Sequence, residues 1–301
     1  MRRRGIIDVP NHRSSHSIPV PRGGGLACLA GATVAIVWFA IDGQSVAWGL
    51  AVAVVLLTLV GLADDARSLP ALSRLAAQVA AGAGIGWAAS GGWWICVGAV
   101  VAPIIVNVVN FMDGINGITS LTMAVWGVTA LAVGSDRDIT ALALLGAIAA
   151  GSALGFLPWN APVARLFLGD SGSYLFGGIV AAGVVFGWSS GAPVVPLVAP
   201  LTLYLVDTGV VFIKRAHRGD SLFEAHREHV YQRLTSELGL SHLSVALAVA
   251  ALSASMTVAW LSAVIWVPLV VPALLGGLYL AAPRLLSSRS TAGAAAPRCA
   301  E

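Results

Sequence analysis

The chain has 301 residues, 57% of them hydrophobic and 10% charged, with a mean hydropathy of +0.86. No soluble domain of this length carries so much apolar surface, so the composition predicts an all-α polytopic membrane protein. The net charge of +3 says little, whereas the placement of the charges says much.

In chain order, apolar runs of about 17–22 residues recur from end to end, each long enough to cross about 30 Å of hydrocarbon. They predict about ten membrane-spanning helices, at roughly 24–41, 46–63, 72–89, 93–110, 117–133, 139–157, 173–189, 193–213, 242–261 and 263–283. Residues 1–286 read as one multi-span domain with inner loops at 1–23, 64–71, 111–117, 158–172 and 214–241, and 287–301 as a disordered tail. Of the 17 Lys and Arg residues, this threading leaves only Arg137 on the outer side. By the positive-inside rule the crowded side is the cytoplasm, so the polar loops face inward. Basic residues at span ends also suit membrane lipids as anionic anchors, and no nucleic-acid partner is expected. Cys28, Cys96 and Cys299 are too few and too scattered for a disulfide framework or a metal knuckle.

The two faces differ in chemistry. The outer connectors, such as "GSDRD" at 134–138, are short, and Asp42, Asp136 and Asp138 read as solvated helix ends. The inner segments hold all six histidines and four acids that converge if the helices pack: Asp64 and Asp65 end the second span, Asp113 ends the fourth, and Asp170 precedes the seventh. Carboxylates, amide oxygens and water suit Mg²⁺, with Mn²⁺ as an alternative, and Mg²⁺ takes one or two protein carboxylates plus substrate phosphates. Arg22 and the following Gly23–Gly24–Gly25 run offer a cation and backbone N–H groups to an anion. In "HREH", His226 and His229 stand three residues apart, on one face of a helix, and could act together on a diphosphate.

Five segments in order, "HSIPVPRGGG", "GLADD", "NFMDGINGI", "LFLGDSGS" and "HREHVYQRL", resemble the polyprenyl-phosphate N-acetylhexosamine-1-phosphate transferases of glycosyltransferase family 4. The family includes undecaprenyl-phosphate GlcNAc-1-phosphate transferases and the phospho-MurNAc-pentapeptide translocases. The resemblance runs from about Asp8 to Leu234. It implies transfer of a sugar 1-phosphate from a UDP-sugar donor to a polyprenyl phosphate acceptor, releasing UMP. It also implies Asp170 as the Mg²⁺ ligand with Asp113 beside it, and Asp64 and Asp65 as the paired acids that hold or activate the lipid phosphate. Asn110 and Asn116 then lie near the nucleotide, and His229 engages the diphosphate with Arg22, His226 and Arg227 as further substrate contacts. A homodimer is compatible with this reading.

Three departures stand out. Asn116 replaces the second acid of the family's "DGIDG", and "HREHVYQRL" replaces a histidine triplet, which argues for surface-polysaccharide initiation, as in lipopolysaccharide O-antigen, over peptidoglycan precursor synthesis. The third is that family members carry a span ahead of the "PRGGG" loop, so an upstream apolar segment is expected. The rival class is an ion-coupled transporter, because intramembrane acids also mark carriers. Here the acids sit at span ends on one face and no internal repeat is visible.

Overall fold

In the computed structural model, residues 7–8, 19–41, 48–220, 228–262, 264 and 266–294 are described. They form twelve α-helices: α1 (Gly24–Ile41), α2 (Trp48–Arg67), α3 (Ala71–Ala89), α4 (Trp94–Met112), α5 (Ile118–Asp136), α6 (Thr140–Asn160), α7 (Gly169–Ser189), α8 (Val194–Val198), α9 (Thr202–Arg218), α10 (Val230–Ser236), α11 (His242–Trp260) and α12 (Val267–Ala294). A two-residue strand, Ile7–Asp8, pairs antiparallel with Val20–Pro21 ahead of α1.

Among the described residues nine helical stretches are long and apolar enough to cross a membrane, with Val194–Arg218 counted as one. The predicted third span forms as α3, which is 19 residues long but carries Arg74 and Gln78 and falls outside those nine. The eighth is interrupted by a 3₁₀ turn at Ala199–Leu201, where Pro196 and Pro200 withhold backbone donors. The indole of buried Trp126 donates to the Leu197 carbonyl beside this break at 2.8 Å. At the end of the chain α12 continues through Ala294, so 287–294, expected as tail, is helical; Ala is the residue that resists helix formation least.

The bundle is organised around α7, which is buried on every side and packs against α1 to α6. A helix apolar all round belongs in such a centre. Its small residues set how close the neighbours come, since lipid supplies no hydrophobic force between helices and backbone approach must do the work. A Cβ at Gly177 would stand 2.7 Å from Val106 Cα, and one at Gly25 of α1 would run into the Gly172 backbone. The α2 helix approaches in the same way, with Gly61 against the Asp170 carbonyl.

One end of the bundle is ringed by exposed Trp38, Trp48, Trp87, Trp93, Trp188 and Trp266. Trp93, Trp94 and Trp188 cluster there with ring centroids 4.1 to 5.9 Å apart. Amphipathic rings of this kind mark a membrane–water interface. The described parts of the motif segments lie at the other end.

Candidate active site

The first turn of α7 is the anchor of the polar centre. Helix N-termini leave backbone N–H groups without partners, and here Asp65 at the end of α2 supplies them: Oδ1 accepts from Asp170 N at 2.9 Å and Oδ2 from Ser171 N at 3.0 Å. Gly169 turns into the helix at φ +74°, and a Cβ there would stand 2.7 Å from the Asp65 carboxylate. Asp170 therefore lies inside the first turn of α7. Its Oδ1 accepts from the Asn110 amide at 2.7 Å, and the same amide reaches Ser173 Oγ at 2.9 Å.

Asp64, one residue earlier on α2, faces another way. Its Oδ1 accepts from Leu69 N at 2.7 Å and its Oδ2 pairs with Arg74 at 2.8 Å, closing the turn into α3. Both Asp64 and Asp65 lie near enough to Asp170 to act on it electrostatically. Asp113 caps the end of α4 and feels Asp65. Burial pushes its carboxyl up to about 7, with the neighbouring Thr119 hydroxyl opposing and the Asp65 charge adding to the rise.

Asp64, Asp65 and Asp170 come together in unequal roles, and Asp113 is near enough to Asp65 to feel its charge. Both oxygens of Asp64 and both of Asp65 accept protein hydrogen bonds, whereas Asp170 takes the Asn110 amide on Oδ1 and meets the Asp64 carboxyl. Among the described residues no three acids, histidines or cysteines stand at metal-enclosing distance. This donor set fits an ion that takes one or two carboxylates and completes its shell with water and phosphate oxygens, as Mg²⁺ does.

The glycine run takes a different part from the one expected. Gly24 N donates to Phe167 O at 2.9 Å and Gly25 N to Leu168 O at 3.0 Å, so these groups hold α1 against the loop before α7 and are not offered to an anion. Arg22 forms a parallel bridge with Phe167 just ahead of them. Asn116 is likewise engaged in the fold: its backbone N–H reaches His242 Nδ1 at 3.3 Å and its amide the Pro162 carbonyl at 3.2 Å. Next to it, Gly117 adopts φ +84° and donates to Asn160 Oδ1 at 2.6 Å.

The expected pairing of His226 with His229 falls partly outside the described residues. His229 is the extended residue ahead of α10, and His226 and Arg227 lie outside the described residues. Its ring, 2% exposed, stacks on Tyr231 and stands with Nδ1 3.3 Å from Asp207 Oδ1. Asp207 also caps α10, accepting from Val230 N at 3.0 Å. Tyr231 is fully buried and donates to Phe111 O at 2.9 Å, so α10 is pinned to the turn that carries Asp113. Burial holds the Tyr231 hydroxyl well above its ordinary value, which keeps it a donor.

Arg74, Asn160 and Asp207 are site residues that motif reading passes over. Asp207 had a signal: an acid in the middle of the apolar run 193–213. Beside the centre, α3, α4 and α9 wall a groove of about 510 Å³, lined by Leu75, Val100, Pro103, Ile104 and Phe212, with Arg74, Asn107 and Asn110 among its polar atoms.

Fold and site together define a polytopic membrane protein whose polar centre sits at the helix ends and adjoins an apolar groove. Comparison with known sequences is more specific: the glycosyl transferase family 4 pattern matches residues 47–187. The decaprenyl-phosphate N-acetylglucosaminephosphotransferase of Mycolicibacterium smegmatis is 30% identical, over 81% of this chain and 72% of the relative. Its Mycobacterium tuberculosis counterpart is 29% identical, over 82% and 73%. A probable undecaprenyl-phosphate N-acetylglucosaminyl 1-phosphate transferase of Bacillus subtilis is 25% identical, over 81% and 74%. The chain belongs to glycosyl transferase family 4.

Proposed function

We propose that the protein transfers a sugar 1-phosphate, of the N-acetylhexosamine class, from a UDP-sugar to a polyprenyl phosphate. An acceptor phosphate oxygen bonds to the phosphorus next to the sugar, the bond from that phosphorus to the bridging oxygen breaks, and UMP leaves with the electron pair. The product is a polyprenyl diphosphate sugar.

The observation that carries this reading is the position of Asp170. It is fixed at the mouth of the most buried helix by Asp65 and Asn110, and Asn110 also lines the apolar groove. A polyprenyl chain suits that groove, whose outer walls Val100 and Ile104 are exposed, and Arg74 beside it supplies a cation for the lipid phosphate. Several negative charges must meet in this reaction, and positioning with charge neutralisation lowers such barriers more than proton transfer does. Asp170 and Asp113 would hold Mg²⁺, which when bound supplies that neutralisation. Asp64 then keeps Arg74 in place, and Asp65 keeps the Asp170 turn in place. His229, oriented by Asp207, serves the donor diphosphate.

The motif-bearing end carries nearly all the basic residues, which by the positive-inside rule supports its facing the cytoplasm of a bacterial inner membrane. The test is an assay of membranes containing the protein with radiolabelled polyprenyl phosphate and a panel of UDP-sugars. Lipid-linked sugar phosphate and UMP in equal amounts, dependent on Mg²⁺, are expected. Labelled acceptor left unchanged with every donor, from correctly inserted protein, would overturn the reading.

A further inference from the structure

Tyr279 lies on α12, a helix outside every motif of the site. Its hydroxyl donates to Asp207 Oδ2 at 2.9 Å, and the two side chains are 4% and 1% exposed. Through its two oxygens Asp207 also accepts from Val230 N, at 3.2 and 3.0 Å, and stands 3.3 Å from His229 Nδ1. One buried carboxylate therefore joins α9, the entry to α10, and α12.

We propose that Tyr279 is a positioning residue that acts through Asp207 on the His229 ring, making α12 part of the support of the active site as well as a membrane span. The Val230 N–H is shared by both carboxylate oxygens and so fixes the tilt of the Asp207 carboxylate poorly. The Tyr279 hydroxyl takes Oδ2 alone, which leaves Oδ1 directed at Nδ1. A hydrogen bond at Nδ1 sets the tautomer and the ring orientation, and with them what Nε2 presents to a ligand. The carboxylate is shielded from bulk solvent, so loss of the hydroxyl is met by rotation of Asp207 and the ring moves with it.

The inference rests on the transferase reading, and the experiment separates the two. Wild type, Tyr279→Phe, His229→Ala and the double variant are compared as full-length protein in membranes, with UDP-GlcNAc and polyprenyl phosphate. Tyr279→Phe should lower turnover roughly tenfold, the scale of losing the partner that orients a functional histidine. The KM for the lipid should stay within about twofold, because the groove is untouched. In the His229→Ala background the same change should have almost no further effect, since the two act as one unit. An equal loss in both backgrounds, wild-type turnover in Tyr279→Phe, or failure of Tyr279→Phe to accumulate as folded protein would each overturn the proposal. If the wild type makes no product with UDP-GlcNAc or with any other UDP-sugar of the panel, the transferase reading fails by itself. Thermal midpoints of the same four proteins in detergent then decide the link: non-additive shifts support it, and additive shifts overturn it.

Discussion

The two ends of the bundle use their polar residues in opposite ways. At the tryptophan-ringed end the turns close on themselves: Ile139 N reaches Gly134 O, Ala192 N reaches Gly187 O, and the ion pair joins neighbours Asp136 and Arg137. At the motif-bearing end Asp64 bonds within its own turn, but other polar partners are distant in sequence. Asp65 caps a helix 105 residues away, Asn110 holds a carboxylate 60 away, and Tyr231 reaches a carbonyl 120 away. Local bonds finish a helix and leave it independent, whereas long-range bonds make each reactive group's position depend on several helices. The chemistry-bearing end is thus held by the whole bundle, and the other end merely closes it.

The largest break in this contrast is expected from α1. Gly25→Val places a branched side chain against the Gly172 backbone, where neither chain can give way. Overpacking costs about 1–3 kcal/mol even where side chains can move, so the seat of α1 on α7 should be lost. Folded yield and the thermal midpoint in detergent are expected to collapse. A change at Gly92, which has open space around it at the opposite end, should have far smaller consequences, limited to its φ of +58°.

Asp170→Asn comes next, and it should separate function from fold. The substitution keeps shape and removes the charge, and the cap from Asp65 remains because it reaches backbone N–H groups. Stability should change little while turnover falls on the order of 10²-fold, as when a main electrostatic contributor is removed. Product formation measured against Mg²⁺ concentration should show the curve moved to higher metal. Near-normal turnover with an unmoved curve would take Asp170 out of the site.

Some of this was legible in the sequence and some was not, for identifiable reasons. Apolar length marks spans directly, so every predicted span has a helix, including α3 despite Arg74 and Gln78. The meeting of Asp64, Asp65 and Asp170 followed from their sharing one face, with Asp113 within electrostatic reach of Asp65. Their division of labour did not follow: adjacent residues on a helix point about 100° apart, and only the packed neighbours decide that Asp64 meets Arg74 while Asp65 meets α7. The glycine run was read as an anion cradle, but Gly24 and Gly25 N–H groups bond the loop before α7 and Gly25 lies against the Gly172 backbone. Of the His226 and His229 pair only His229 is described, and it is extended just ahead of α10. Asp207 was visible as an acid in an apolar run, but its partners come from two other places in the chain, the adjacent His229 and Val230 and the distant Tyr279.

Asp65→Ala should have a mixed effect. Loss of a cap from a helix N-terminus costs about 1 kcal/mol, up to about 2, and here the same loss loosens the turn that holds Asp170. A lowered thermal midpoint together with a turnover loss smaller than that of Asp170→Asn is expected. A pure activity loss with an unchanged midpoint would mean that the Asp65 carboxylate acts on substrate and not on the helix.

The smallest effect should come from the opposite end. The Asp136 and Arg137 side chains pair at 3.1 Å while 75% and 53% exposed, so water and salt screen the attraction and holding two flexible chains together offsets much of what remains. Exposed pairs of this kind contribute about 0–1 kcal/mol. Asp136→Ala should therefore leave the thermal midpoint within about 2 °C, as expected for a change of a few tenths of a kcal/mol in a chain of this size, and leave turnover and the Mg²⁺ curve untouched. Because Asp65 and Asp136 are both acids at the C-terminal ends of spanning helices, this pair of alanine variants isolates what differs between the two faces, which is the distance in sequence to the partner. A turnover loss in Asp136→Ala comparable to that of Asp65→Ala would erase the contrast and show that the far end also sets the geometry of the site.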